Sequence, residues 1–431
     1  MNRFLTFILS AILSISAVKG ECAVVVADSA THLPLPSASV FDRSGRAIGI
    51  SDSRGRLPYI SPAEYPVTVR YLGFGEKCVA EAGTDTVFLA EIPTELQEVV
   101  IESRQHKVLH VLAYVREYSS LSTYTDTVFL FREKMVDFMM TPDEKVRFTG
   151  WMNPRVLKSR SYYRFTNASG LDSVSSEWGN HFSWSDWIGP VPSPSVPSGV
   201  RGAESGSDTI RGKYSPAEIW IRHDDRMTVD VDVLADTTSR RWVPNLSSFF
   251  RRQLDFENFR VRFNYGCVTD DSLCVTDLTG YSFNIESNGR GHDMFRFNRR
   301  DEPFFVSTFA EVYILDKEYI TVKEAKKWSK LKFDSGDIEI IEAAEAPGLQ
   351  QPVLELIARV EAIDAEGVRL DRAPDRRFVG RPPRKINFGE RALTLLKDLT
   401  GITYFRSHRN FNNNWNSFRR SQSKSNSHNK K

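Results

Sequence analysis

Along residues 22–101 apolar and polar positions alternate in short runs, at 22–27, 39–42, 47–51, 67–71, 76–80 and 86–90. Pro34, Pro36, Ser44-Gly45, Arg54-Gly55, Pro62 and Gly73 stand between them. Period-two runs at even spacing, closed by Gly, Pro and Ser, predict the strands of a small antiparallel sandwich. The pattern changes over 103–118, where Val108, Leu109, Leu112, Ala113 and Val115 recur at three- and four-residue intervals and predict an amphipathic helix. Strands are predicted again at 124–131, 147–151, 158–166, 218–222, 227–234, 258–265, 281–285 and 304–315, and helices at 322–330 and 352–363. Residues 190–212 are rich in Pro, Ser and Gly without periodicity and read as a flexible exposed loop. The expected fold is mainly β. A sandwich at 21–102 leads through a helical connector at 103–120 into a larger β-rich domain with a few helices at 121–365. An extension at 366–405 and a tail at 406–431 follow.

The first residues follow another pattern. Asn2-Arg3 precedes an almost unbroken apolar or small-residue stretch from Phe4 to Val18, ended by Lys19. The run is shorter than the roughly 20 apolar residues of a bilayer-spanning helix. With Val18 and Gly20 at the −3 and −1 positions it predicts a secretory signal peptide over 1–20, cleaved after Gly20. Cys22 admits a second reading as a lipidated cysteine, although Lys19-Gly20-Glu21 is a poor approach to one. No later run nears span length, so no transmembrane segment is expected in the mature chain. Export to the periplasm or the periplasmic face of the outer membrane follows, with the cell surface as a further location.

A hydrophobic content of 41% supports real cores, and 431 residues exceed what one core usually organises. The formal net charge of +2 is unevenly placed. Residues 407–431 hold Arg409, Arg419, Arg420, Lys424, Lys430 and Lys431 and no acidic residue, with Phe411, Trp415 and Phe418 among them. Such a tail suits an anionic envelope surface, against the plainer reading of a solvated, disordered end. Nucleic acid is not an expected partner of an exported chain. The four cysteines are expected to pair as Cys22–Cys78 and Cys267–Cys274, the competing reading being four separate buried thiols.

The stretch 24–101 also carries a resemblance. Leu35-Pro36-Ser37-Ala38-Ser39-Val40, then Gly49 with Ser51-Asp52 and Gly55, then Tyr71-Leu72-Gly73-Phe74, and finally Leu96-Gln97-Glu98-Val99-Val100-Ile101 follow one another in order. This arrangement resembles the carboxypeptidase-regulatory-like domain, a prealbumin-like β-sandwich found at the N-terminus of Bacteroidetes envelope proteins, TonB-dependent receptors among them. Cys22-Ala23-Val24 stands where that family has a glycine in its first strand. The resemblance implies an accessory interaction module and no peptidase chemistry. The order of sandwich, helix and β-rich domain is similar to that of uncharacterised Bacteroidetes envelope proteins.

Candidate chemistry is sparse. Trp178, His181, Phe182, Trp184 and Trp187, with Asp186 among them, form an aromatic cluster that suits a glycan or partner contact if exposed and a sheet core if not. His106 and His110 lie four apart on the predicted helix but lack a third metal ligand. Asp270, Asp271 and Asp277 lack the oxygen spacing of a calcium loop, and Asp224-Asp225 and Asp301-Glu302 fall at predicted turns. The sequence holds no G-x-S-x-G, H-E-x-x-H or P-loop. No catalytic residue, cofactor or metal is assigned. The expected function is a non-catalytic envelope binding or scaffold protein whose partner is a protein or a glycan. The alternatives are a glycan-processing or glycan-binding protein and an accessory to outer-membrane transport or assembly.

Overall fold

The computed structural model describes residues 24–52, 54–92, 107–123, 126–141, 151–167, 170, 172–176, 183–190, 194–243, 254–266, 268, 273–290, 303–331 and 338–366. The chain is mainly β. In the N-terminal unit, β1 (Val25–Asp28), β2 (Ser39–Phe41), β3 (Ala47–Ile50), β4 (Val67–Arg70), β5 (Lys77–Val79) and β6 (Thr86–Leu89) fall where the alternation placed strands. Four of them form an antiparallel sheet in the order β3-β2-β4-β5. The first and last strands depart from the expected antiparallel pattern, since β1 and β6 pair in parallel. Both sheets close on one core that includes Val26, Val40, Val69, Val87 and Leu89.

The turn after β3 follows from its residues. Asp52 Oδ1 accepts hydrogen bonds from the backbone N–H of Arg54 and Arg56, each at 2.8 Å. Gly55 takes φ +71°, and a Cβ there would meet the Val26 carbonyl oxygen at 2.5 Å, so glycine is required.

The larger part is one antiparallel sheet of ten strands: β7 (Lys107–Ser122), β8 (Asp126–Met140), β9 (Trp151–Asn167), β10 (Asp172–Ser175), β11 (Ser205–Arg211), β12 (Pro216–His223), β13 (Arg226–Asp232), β14 (Leu254–Tyr265), β15 (Leu278–Arg290) and β16 (Pro303–Thr321). Their order in space is β10-β9-β8-β7-β16-β15-β14-β13-β12-β11. Two meanders therefore meet at β7 and β16, and the chain passes from one edge of the sheet to the other between β10 and β11.

Two expectations are corrected here. The helical connector at 103–120 is instead β7, a strand at the centre of the sheet. Its odd positions Leu109, Val111, Ala113 and Val115 join one core, while Val108, Leu112, Tyr114 and Tyr118 pack in others. A strand buried on both faces reads as a continuous apolar run, and such a run also satisfies helical spacing. The loop expected at 190–212 ends earlier, because Ser205–Arg211 is the edge strand β11, paired with β12. Helices α1 (Val322–Trp328) and α2 (Gln351–Glu366) lie where the apolar spacing predicted them.

Both faces of the sheet are covered. On one, Trp184, Ile188, Val196 and Val200 of the crossing segment enter the main core, which runs from Phe165 on β9 to Trp220 on β12. Tyr281 donates to the Ile188 carbonyl at 2.8 Å. On the other, the N-terminal unit and α2 dock together, for Phe41 packs with Tyr118, Phe131, Tyr162 and Phe309 and with Val353, Leu356 and Val360 of α2.

Candidate functional site

Charges fasten the N-terminal unit to the sheet. Arg70 and Glu311 are each 1% exposed and pair at 2.7 Å, and a second Arg70 nitrogen donates to Tyr118 Oη at 3.0 Å. Near the next strands, Asp230 accepts from Ser37 at 2.6 Å and from Arg262 at 3.1 Å. The Arg262 guanidinium lies 3.6 Å from the centre of the Tyr71 ring. Burial pushes the Tyr71 phenol up to about 12, against the opposing pull of Arg262. Paired, hydrogen-bonded charges are the form in which buried charge is tolerated.

A cleft of about 420 Å³ opens along this seam. The N-terminal unit contributes Ile50, Ser51 and Asp52, and the sheet contributes Tyr214, Ser215, Asp232, Leu234, Ala235, Glu257, Asn258 and Arg260. Each polar group is oriented by its neighbours. Asp232 accepts from the Ser215 hydroxyl and, at 3.0 Å, from the Leu234 N–H. Glu257 accepts from Asn288 at 2.9 Å. Arg260 donates to the Ser51 carbonyl at 3.3 Å across the seam, while its buried Nε has no hydrogen-bond partner among the described residues. Tyr214, 78% exposed, stands at the rim. Three carboxylates against one guanidinium give the lining a negative balance. The same surplus acts nearby, where burial and then the Glu257 charge raise the Glu286 carboxyl above its ordinary range. The arrangement offers oriented acceptors beside an exposed ring.

The sequence-predicted cluster around Trp184 has a different surrounding. Trp184 is 1% exposed and lies in the main core, so the contact expected of it is corrected: a ring sealed inside the sheet cannot stack on a ligand. Trp187 is partly buried against the same core. Trp178, His181 and Phe182 lie outside the described residues. Beneath the segment, Glu117 accepts from Ser183, from Ser185 at 2.6 Å and from the Trp184 N–H at 3.2 Å. Lys134 donates to Ser183, Ser185 and Asp186 at 2.6, 2.8 and 2.5 Å. Burial opposes ionisation of Glu117, yet Lys134, Arg132 and the serine hydroxyls hold its carboxyl below the ordinary range. This polar cluster pins the crossing segment to the sheet.

His110 lies on β7, not on a helix, while His106 is outside the described residues. Cys78 is exposed on β5, its side chain facing away from the core, and Cys274 is partly buried; the partners expected for them, Cys22 and Cys267, lie outside the described residues. Residues 1–20, where a signal peptide is expected, Asp270, Asp271, Asp301, Glu302 and the basic tail with Arg409, Trp415, Arg419 and Arg420 are all likewise outside the described residues. Asp277 accepts from the Cys274 N–H at 2.8 Å in a one-turn helix cap. Among the described residues no group of three or more His, Cys, Asp or Glu side chains is placed to hold a metal ion. The seam cleft escaped sequence reasoning because its residues come from four separate segments. The one local signal was the Ser51-to-Gly55 turn.

No family model matches the chain, and neither does any curated protein. Among solved structures, one of lipid–protein interactions in lipovitellin is 7% identical, covers 50% of this chain and has a TM-score of 0.24. The match spans only 26% of the lipovitellin chain. An outer-membrane channel from Pseudomonas putida F1 is 5% identical over 50% of this chain and 100% of its own, with a TM-score of 0.09. At these values neither likeness bears on fold or function.

Proposed function

We propose that this protein is a non-catalytic binding or scaffold protein of the cell envelope, in which the N-terminal sandwich and the large sheet present one composite surface. The observation that carries this reading is the seam. The sandwich is fastened by the buried Arg70–Glu311 pair and by Ser37 and Tyr71, which sit on the buried Arg262–Asp230 pair of the sheet, and the cleft beside them is lined from both sides. A cleft shared by two units is a common place for a ligand. The leader-like N-terminus and the resemblance over residues 24–101 direct the reading to the envelope.

Fractionation of native cells tests the location, with the protein expected in periplasm or outer membrane. Cross-linking from Tyr214 and Asp52 tests the surface, with an envelope partner expected. Substrate turnover that depends on one of the cleft carboxylates would overturn the non-catalytic reading.

A second reading is glycan binding, favoured by Tyr214 on the rim of a cleft whose carboxylate and amide oxygens can accept from hydroxyls. Titration with neutral oligosaccharides such as chitobiose and cellobiose checks it. Tyr214→Ala is expected to weaken binding about 10-fold, as the loss of a stacking contact worth roughly 1.4 kcal/mol. Equal binding by wild type and variant would count against the cleft.

A further inference from the structure

His110 is buried, and both of its ring nitrogens are engaged. Nδ1 is 3.0 Å from Glu318 Oε1. Nε2 is 3.0 Å from Asp137 Oδ2 and 2.7 Å from Trp328 Nε1 at the end of α1. These two contacts of Nε2 make opposite demands. An indole N–H only donates, so Nε2 must present a lone pair to accept from Trp328. An ionised carboxylate only accepts, so Nε2 must carry a proton to donate to Asp137. One nitrogen cannot do both at once.

We propose that His110 is a proton-operated switch, whose neutral ring holds Trp328 and whose protonated ring exchanges that bond for one to Asp137. In the neutral state the proton sits on Nδ1 and is donated to Glu318, and Nε2 accepts from the indole. Adding one proton at Nε2 gives a cation that donates to both carboxylates and turns an N–H toward the indole N–H. Trp328 then loses its acceptor on His110.

The groups facing the ring fit both states. From β8, Asp137 is fully buried, and it accepts from Arg155 of β9 at 2.8 and 2.5 Å, so it keeps partners when His110 is neutral. From β16, Glu318 is more than half exposed and solvated in either state. Arg155 also donates to the Trp328 carbonyl at 2.9 Å and lies over its ring, tying this carboxylate to the same helix end. α1 presents the Trp328 indole, edge-on to the imidazole with centroids 5.4 Å apart.

Burial pushes His110 toward its neutral form, but the hydrogen bonds to Asp137 and Glu318 outweigh it and place its titration above the ordinary histidine value. The Asp137–His110–Glu318 bridge is therefore complete in acid and is lost as pH rises through that titration. The bond to Trp328 is made over the same interval.

The test is long-range nitrogen–proton NMR of the histidine rings in the full-length protein between pH 5 and 10, for wild type and Trp328→Phe. The neutral His110 ring is expected to carry its proton on Nδ1. Removing the indole N–H takes a bond from the neutral state alone, so Trp328→Phe should raise the midpoint by about 0.5–1 pH unit, the equivalent of one ordinary hydrogen bond. A neutral ring protonated on Nε2, or a midpoint unmoved by Trp328→Phe, overturns the proposal. The difference in tryptophan fluorescence between the two proteins should change with the same midpoint. A flat difference also overturns it.

Discussion

At the scale of single residues, the least expected feature is how many charged side chains are buried. Arg70, Arg116, Arg132, Lys134, Glu117, Asp137 and Glu311 are all sealed from solvent, although their residue types read as surface. Their value lies in pairing. Arg70→Met is expected to take from buried Glu311 the cation hydrogen-bonded to it, leaving only Arg116 opposite on β7, and to cost about 3 kcal/mol, read by urea unfolding. Adding Glu311→Leu should restore most of it, and a loss below about 1 kcal/mol in the single variant would show that the pair does not matter. Glu117 and Asp137 both ionise more readily in the folded chain than outside it. A lowered carboxyl contributes stability above its unfolded value near pH 4, lost as pH falls through the folded value. Unfolding free energy should therefore decline on acidification below about pH 5, and Glu117→Gln should flatten that decline in a pH series of urea melts.

At the scale of elements, the six short strands of the sandwich were legible because each has its own alternation and its own turn residues. β7 was not, since burial on both faces erased the alternation and left spacings that a helix shares. β11 hid in a segment of Pro, Ser and Gly because an edge strand with little to bury needs no apolar pattern. The seam and the His110 contacts were invisible for another reason: they depend on pairings such as Arg70 with Glu311, 241 positions apart. The aromatic cluster announced itself, but only the crossing of the sheet decides that Trp184 faces inward. Trp184→Ala should therefore act on stability, with a loss of about 3–5 kcal/mol from the cavity it leaves, measured by denaturant melts. A fall in ligand affinity with unchanged stability would contradict this placement.

At the scale of the whole molecule, sandwich, sheet and α2 share buried contacts, so the described parts should unfold together. Denaturation followed by near-ultraviolet circular dichroism and by fluorescence is expected to give one coincident transition, whereas two separated midpoints would mean that the sandwich melts alone. The order of strands carries a further consequence for biogenesis. β7 pairs with β16 in a register that sets Tyr114 opposite Tyr313, so the middle of the sheet cannot close until nearly all of the described chain has been made. Until then the first meander exposes β7, an edge of 16 residues, longer than native proteins usually leave unprotected. Folding governed by such distant pairings is slow. A nascent chain in this condition carries an open edge that can pair with a neighbouring chain before β16 arrives to cover it.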